Sequence, residues 1–528
     1  MADKYWFGGT NTWNTTATGK WSSTSTSLVQ TTVPTSADNV YFTPNSVGTI
    51  TINITASVGS LTFLPGFTGT LTGSASSAIN IYGNLSLTST GVFDSKNTPT
   101  INFVNTTPAT ITSNGQTLGT ITINCPGTSV TLNDDLITQN NTVLTLAGGT
   151  FNANGKNVTI GGFLSTGTQA RTLIMNSGVW TLAFNGSPAA TATISPPDLG
   201  ETAWDTTAKT NLTFNAGTSK IRLIHGAVQG IGGLSAAIDS TTSTILLTDA
   251  ADILTGQSTV GPWTVLIDDE LISYTTLTGN TITGATRGYN NTTASSHATG
   301  NSVMLVQPSV TTLAGGSGID NITTTISVQN ASIFPADGVI LIDSEQILYS
   351  SRTASVVTVA QRGYNGTTAT SHAVGSRVTL INRRNFKGGG LTFNNLELNC
   401  NGAVDRTYIY GSNTFTNITT RLLSTTTTYP TQNQELYFES GTTNSFNAWT
   451  VSGRSSNLFT VRSITTGSQA TLNKASSGDY WYVGINSQDV SNNTNLIFGA
   501  YSGGVDYLSF QDINATPLLN AGGVLLFF

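Results

Sequence analysis

The residues best equipped for chemistry lie in the middle of the chain. Asp268, Asp269 and Glu270 form one carboxylate group, and Asp343 and Glu345 form another. Two carboxyls flanking a glycosidic bond can act as acid and base in its hydrolysis. The same oxygens are the type that ligates calcium. Repetition argues against catalysis, because a catalytic pair is needed once and these groups recur within one repeated motif. Strand alternation places Asp343 and Glu345 on one face, with Ile342 and Ser344 on the other. We therefore expect carboxylates that lie on a solvated face or accept turn N–H groups. His297 and His372 occupy equivalent places in the repeat. One histidine per module makes no zinc site without further ligands, so both are expected as hydrogen-bonded turn residues. His225 has no evident base or nucleophile beside it. No nucleophile elbow, phosphate loop or dinucleotide fingerprint occurs. The expectation is a chain with no catalytic residue, no cofactor and no metal.

Aromatic residues are the remaining candidates for recognition. Tyr289 and Tyr364 recur at the turns of the repeat, and Trp263 precedes the first carboxylate group. Loops on a rigid scaffold often carry binding, which makes Trp263, Tyr289 and Tyr364 candidate glycan contacts. The competing role is to pin each turn onto its own module. Trp6, Trp13 and Trp21 are expected to cover the open edge of a first coil or to dock on a larger particle. Arg383, Arg384 and Lys387 are the densest local cations. They read as a solvated junction in preference to a phosphate site.

The elements that must hold these residues are strands. Thr49-Ile50-Thr51-Ile52, Ala78-Ile79-Asn80-Ile81, Thr120-Ile121-Thr122-Ile123 and Val143-Leu144-Thr145-Leu146 alternate apolar with Thr or Asn. That is the period of a half-buried strand. Gly, Asn and Ser-rich turns separate the strands, and no helical period of useful length appears. The strands are short and closely spaced, which favours parallel coils stacked as a β-solenoid, at roughly 20 residues per coil, over a sandwich.

A different repeat sits in the centre. Leu266-Ile267-Asp268-Asp269-Glu270 matches Leu341-Ile342-Asp343-Ser344-Glu345. The same offset carries Arg287-Gly288-Tyr289-Asn290 onto Arg362-Gly363-Tyr364-Asn365 and Ser296-His297 onto Ser371-His372. Two copies of one small β module are expected. The sequence on either side of the pair has one style, so the modules read as insertions into a solenoid turn. The resulting division is an N-terminal cap or attachment module at 1–48, a first solenoid part at 49–233, module copies at 234–308 and 309–383, and a second solenoid part with C-terminal cap at 384–528.

Composition fits this reading. Only 9% of the 528 residues are charged, against about 25% in an ordinary soluble protein. Thr, Ser, Asn and Gly fill the difference, while the hydrophobic fraction is an ordinary 38%. Net charge is −6 and no basic stripe runs along the chain, so no nucleic-acid groove is expected. Cys125 and Cys400 are far apart and suggest no disulfide framework. The start Met1-Ala2-Asp3-Lys4 carries no apolar secretion segment, and no stretch reaches membrane-span length. Synthesis in a cytosol without membrane insertion is expected.

The opening Trp6, Gly8-Gly9, Trp13, Trp21, Pro34, Asp38, Val40 and Phe42 resembles an N-terminal module of phage and bacterial-surface β-solenoids. The phrases Gly390-Leu391-Thr392-Phe393-Asn394-Asn395-Leu396, Ala470-Thr471-Leu472-Asn473-Lys474-Ala475 and Asp506-Tyr507-Leu508-Ser509-Phe510-Gln511-Asp512 resemble the same proteins. The inserted copies, through Ile342-Asp343-Ser344-Glu345 and Arg362-Gly363-Tyr364-Asn365-Gly366-Thr367-Thr368, resemble a short module of phage tail and appendage proteins. The resemblance implies a bacteriophage virion structural protein, a non-catalytic tail fibre or appendage used for extension and host attachment. It implies other virion proteins as partners, a homotrimer by analogy with phage fibres, and host-surface glycan as a further partner. A capsid decoration or head-fibre protein, a tailspike polysaccharide depolymerase and a bacterial surface adhesin are the alternatives.

Overall fold

The computed structural model describes residues 2–183, 201–250, 263–307 and 310–422, apart from short gaps. Beyond them it describes 434–450, 459–474, 483–484, 497–498, 508–511 and 513–515. His225 lies outside the described residues. The protein is all-β, as its sequence predicts, and its helical content is confined to 3-10 turns such as Tyr364–Gly366. No helix among the described residues is long and apolar enough to cross a membrane. The chain forms two compact units. One comprises Met1–Phe184, Ala208–Ser219 and Val228–Val306, and the other Asn185–Thr207, Lys220–Ala227 and Gln307–Phe528.

In the first unit, alternation makes the strands and burial sets their register. Thr49–Ile52, Ala78–Ile81 and Thr100–Phe103 bury every second side chain and leave the Thr, Ala and Asn between them exposed or half-exposed. A one-residue slip would turn each apolar set outward. Parallel rungs therefore align like with like. Ala56, Ile79, Ile101, Ile121, Leu144 and Phe163 stand on successive parallel rungs, each a short, similar stretch further along the sequence. Val40, Leu61, Leu85, Ile111 and Leu132 form a second such column, and Ile50, Leu71 and Phe93 a third. All but the 2%-exposed Ala56 and the 1%-exposed Phe93 are fully buried. Burying a side chain of this size stabilises by roughly 1.5–3 kcal/mol. The polar faces are ordered too: the Asn102 side chain donates to Asn80 Oδ1 at 2.9 Å across one rung. The Arg171 guanidinium, 2% exposed, donates to the carbonyls of Ser165, Gln169, Ala208 and Thr210 and so ties the returning segment Ala208–Ser219 to the ladder.

The second unit repeats this logic across a long gap in sequence. Lys220–Ile224 pairs in parallel with Asn395–Asn399, and Glu201–Asp205 pairs with the end of Arg377–Lys387. Strands separated in sequence by both modules are thus adjacent rungs. Trp204, Phe386, Ile409 and Phe438 align on one column. Phe393, Phe415 and Phe446 align on another, with ring centroids 5.5 Å apart at each step.

The modules switch to antiparallel pairing. In the first, Trp263–Ile267 and Glu270–Tyr274 form a hairpin, and Ser302–Gln307 pairs with its first strand. In the second, Gly338–Ile342 and Glu345–Arg352 form the equivalent hairpin beside Arg377–Lys387. Each closes on its own core, around Ile267, Ile272 and Val303 or Ile342, Ile347 and Val378. The offset between copies is not uniform. The bridge Ile238–His297 corresponds to Ile319–His372, so the copies run in step at the histidine and out of step at its partner. The first copy therefore carries a longer segment between Ala250 and Trp263 than the second carries between Ala331 and Gly338. The first copy is seated where Thr248 Oγ1 donates to Gly115 O at 3.0 Å and Thr159 Oγ1 to Ser302 Oγ at 3.1 Å. Gly115, at φ +76°, permits this seat because a Cβ there would stand 2.8 Å from Gly300 Cα.

Candidate functional site

Each module holds one closed polar cluster, and the hairpin positions it. The strands end at Ile267 and Ile342, Asp268 and Asp343 take φ of +49° and +52°, and the return strands begin at Glu270 and Glu345. The two carboxylates thus bracket a tight turn, where strand alternation alone had placed them along one continuous strand. Asp tolerates this left-handed conformation better than most residues. Both carboxylates then reach the same histidine. His372 Nδ1 lies 2.7 Å from Asp343 Oδ2 and its Nε2 lies 2.8 Å from Glu345 Oε2. His297 lies 2.7 Å from Asp268 and 2.8 Å from Glu270 by the same nitrogens.

The glutamates are the hubs. Glu345, fully buried, accepts Arg362 Nε at 2.7 Å and Nη2 at 2.8 Å, and the backbone N–H groups of Gly363 at 2.9 Å and Thr370 at 3.0 Å. Glu270 accepts Arg287, Gly288 and Ser295 in the same pattern. The arginine reaches on to backbone carbonyls, Asp320 and Thr370 in the second module, Asp239 and Ser295 in the first. Burial alone would raise the Glu270 and Glu345 carboxyls, and the arginine, turn N–H and histidine donors outweigh it, holding both down at about 2. Burial opposes charge on His297, and its two carboxylates prevail, so its pKa is raised. The expectation of turn-bound carboxylates describes the glutamates. The expectation of a solvated face does not, because both glutamates are sealed inside while Asp268 and Asp343 are 40% and 61% exposed. With both histidine nitrogens and both glutamate oxygens engaged, the cluster fastens the turns at 268–270, 287–289 and 295–297, and their counterparts, to one point. No group of three or more metal-ligating side chains that could hold an ion occurs among the described residues.

The candidate aromatic residues separate. Trp6, Trp13 and Trp21 are 0%, 1% and 0% exposed and pack edge-to-face on one another at about 5 Å. Their contacts lie inside the chain, at the first rungs. Trp263 is half-buried, opposite Tyr274 and against the core of the first module. Tyr289 is half-buried, while Tyr364 is 5% exposed. Trp6, Trp13 and Trp21 thus form one cluster, and Tyr364 belongs to the second unit.

A second cluster escaped the sequence reading. The face of the rungs Arg377–Lys387, Val404–Tyr410, Gln434–Phe438 and Phe459–Ser463 opposite the Phe386 column carries arginines and tyrosines in register, with Asn385, Tyr408 and Tyr437 buried. Arg383, Arg406 and Glu435 share one column, and Asn385, Tyr408, Tyr437 and Arg462 the next. The Tyr408 and Tyr437 rings stack at 4.3 Å with an interplanar angle of 1°. The Arg383 guanidinium lies 3.7 Å over Tyr408, and Arg462 lies 5.4 Å over Tyr437. Glu435 accepts Arg406 Nε at 2.6 Å and the Tyr437 hydroxyl at 2.7 Å. Arg384 points the other way, 4% exposed, and donates to Ile224 O. The three neighbouring cations are thus not a solvated junction: Arg383 and Lys387 belong to the tyrosine face and Arg384 to the interior. Arginine and tyrosine recurring at rung spacing was the signal, and it is spread thinly along the chain from Arg383 to Arg462.

No family model matches the chain, and no curated protein or solved structure matches it.

Proposed function

We propose that this chain is a non-catalytic structural protein of a bacteriophage particle, a tail fibre or appendage that extends toward the host surface. In this reading the parallel columns are the coils of a β-solenoid, and the two modules are insertions carried by it. One observation carries the proposal. Apolar residues one coil apart in sequence stand on successive parallel rungs, from Val40 to Leu132 and from Ala56 to Phe163. Such stacking yields stiffness and surface from a chain with little charge, which is what a passive extension needs. The inward-turned carboxylates support a non-catalytic role. A depolymerase needs a carboxyl pair facing a groove, whereas Glu270 and Glu345 face their own arginine and histidine.

Electron micrographs of particles labelled with antibody against 309–383 test the assignment. Label along the tail is expected. Label spread over the head replaces the fibre reading with capsid decoration, and particles without label overturn both. A trimer is the expected assembly, so equilibrium sedimentation should give three times the 55.0 kDa chain mass. A single-chain mass would remove that expectation.

A further inference from the structure

We propose that the arginine–tyrosine face of the second unit binds the carboxylated sugars of an acidic polysaccharide, with Arg383 and Arg462 receiving the carboxylates. This rests on the host-attachment reading, and it names the chemical class of receptor. On this face Arg383, Lys387, Arg406 and Arg462 stand with Glu435 and with Asp205, which lies beside Lys387 in register. Glu435 is committed to Arg406 and Tyr437, which leaves Arg383 and Arg462 without a close carboxylate. Arg462 makes only a long 3.7 Å approach to Glu435, and its Nε is buried without a hydrogen-bond partner. Arg383 commits Nε to Asn385 Oδ1 and Nη2 to the Tyr410 hydroxyl, at 3.2 and 3.1 Å. That leaves the Nη1 end of Arg383 to meet an anion, and a carboxylate is a strong acceptor for guanidinium N–H groups.

A second observation points to the same place from the module. Tyr364 is 5% exposed and its hydroxyl has no hydrogen-bond partner. Burial raises the pKa of that hydroxyl, and the Arg383 guanidinium acts against the rise. A buried hydroxyl without a partner costs free energy that a ligand oxygen would recover. The faces of Tyr408 and Tyr437 are taken by each other and by the two arginines. Recognition therefore falls to N–H and O–H edges, which favours an acidic, hydroxyl-rich ligand over one held by ring stacking.

The test uses the full chain in biolayer interferometry against polygalacturonate, neutral dextran and dextran sulfate. Polygalacturonate is expected to bind more tightly than either dextran. The double variant R383Q/R462Q is expected to lose at least tenfold in affinity with an unchanged melting temperature, and Y364F to lose a smaller factor. Three results overturn the proposal: polygalacturonate binding no better than dextran, dextran sulfate binding as tightly as polygalacturonate, or R383Q/R462Q binding like the parent chain. Tail labelling with no polygalacturonate binding would remove the receptor class and leave the appendage assignment in place.

Discussion

Glu345 is where a single residue carries the most structure. It closes three turns through one arginine, one histidine and two backbone donors. Removing one partner of a buried ion pair costs about 3–5 kcal/mol, because the other is left uncompensated. Glu345→Gln should therefore destabilise its module by that amount, read by hydrogen exchange over 310–381, and Glu270→Gln should act likewise over 233–306. Protection unchanged in either variant would show that the cluster does not hold the turns. The pH dependence has two limbs. Glu270 and Glu345 are held near 2, below their ordinary 4.5, so their contribution is complete above about 4.5 and lost as pH falls toward 2. His297 is raised above its ordinary 6.5, so its contribution is complete below 6.5 and lost as pH rises through the higher folded value. Protection of the first module should be greatest between about pH 4.5 and 6.5 and should fall on both sides in a pH series of hydrogen exchange. The sequence announced these residues by repetition. It could not announce that Asp268 and Asp343 sit in turns, because their pairing to one histidine is made by a bridge between distant segments.

At the scale of the element, the strand and its rung do different work. Alternation alone made Ala78–Ile81 and Thr100–Phe103 legible as strands, since burial of every second residue needs no partner to be recognised. Parallel pairing was legible only through spacing, and the spacing varies from rung to rung. The column Ile79–Ile101–Ile121 is the place to test it. Ile101→Ala leaves a cavity between two rungs and should cost about 2–5 kcal/mol in denaturant unfolding, whereas Asn102→Ala on the outer face should cost about 1 kcal/mol through the lost bond to Asn80. Equal effects would mean that the two faces are not distinguished by burial. The modules show the opposite limit. Their common offset was plain from Leu266 to His297 and their counterparts, whereas Ile238-Asp239 and Thr244-Ile245 match Ile319-Asp320 and Thr325-Ile326 only at a second, larger offset, which a search at one fixed spacing passes over.

For the molecule as a whole, the decisive feature is that the insertion of two whole modules does not interrupt a ladder. Lys220–Ile224 meets Asn395–Asn399 as if nothing intervened. A ladder paired this way accepts an insertion between two rungs, and each module brings its own core. Deleting 309–375 with a short Gly-Ser link should therefore leave the first unit folded, with unchanged exchange protection at Ile79, Ile101 and Ile121. Loss of protection there would show that the ladder depends on the module. The most direct test of stacked parallel coils is a cryo-electron microscopy map of the purified protein at a resolution that separates strands. Rungs about 4.8 Å apart and running the same way are expected, with Ile79, Ile101 and Ile121 one above another. A map in which the strands bearing Ile79 and Ile101 run in opposite directions as a hairpin would contradict this architecture.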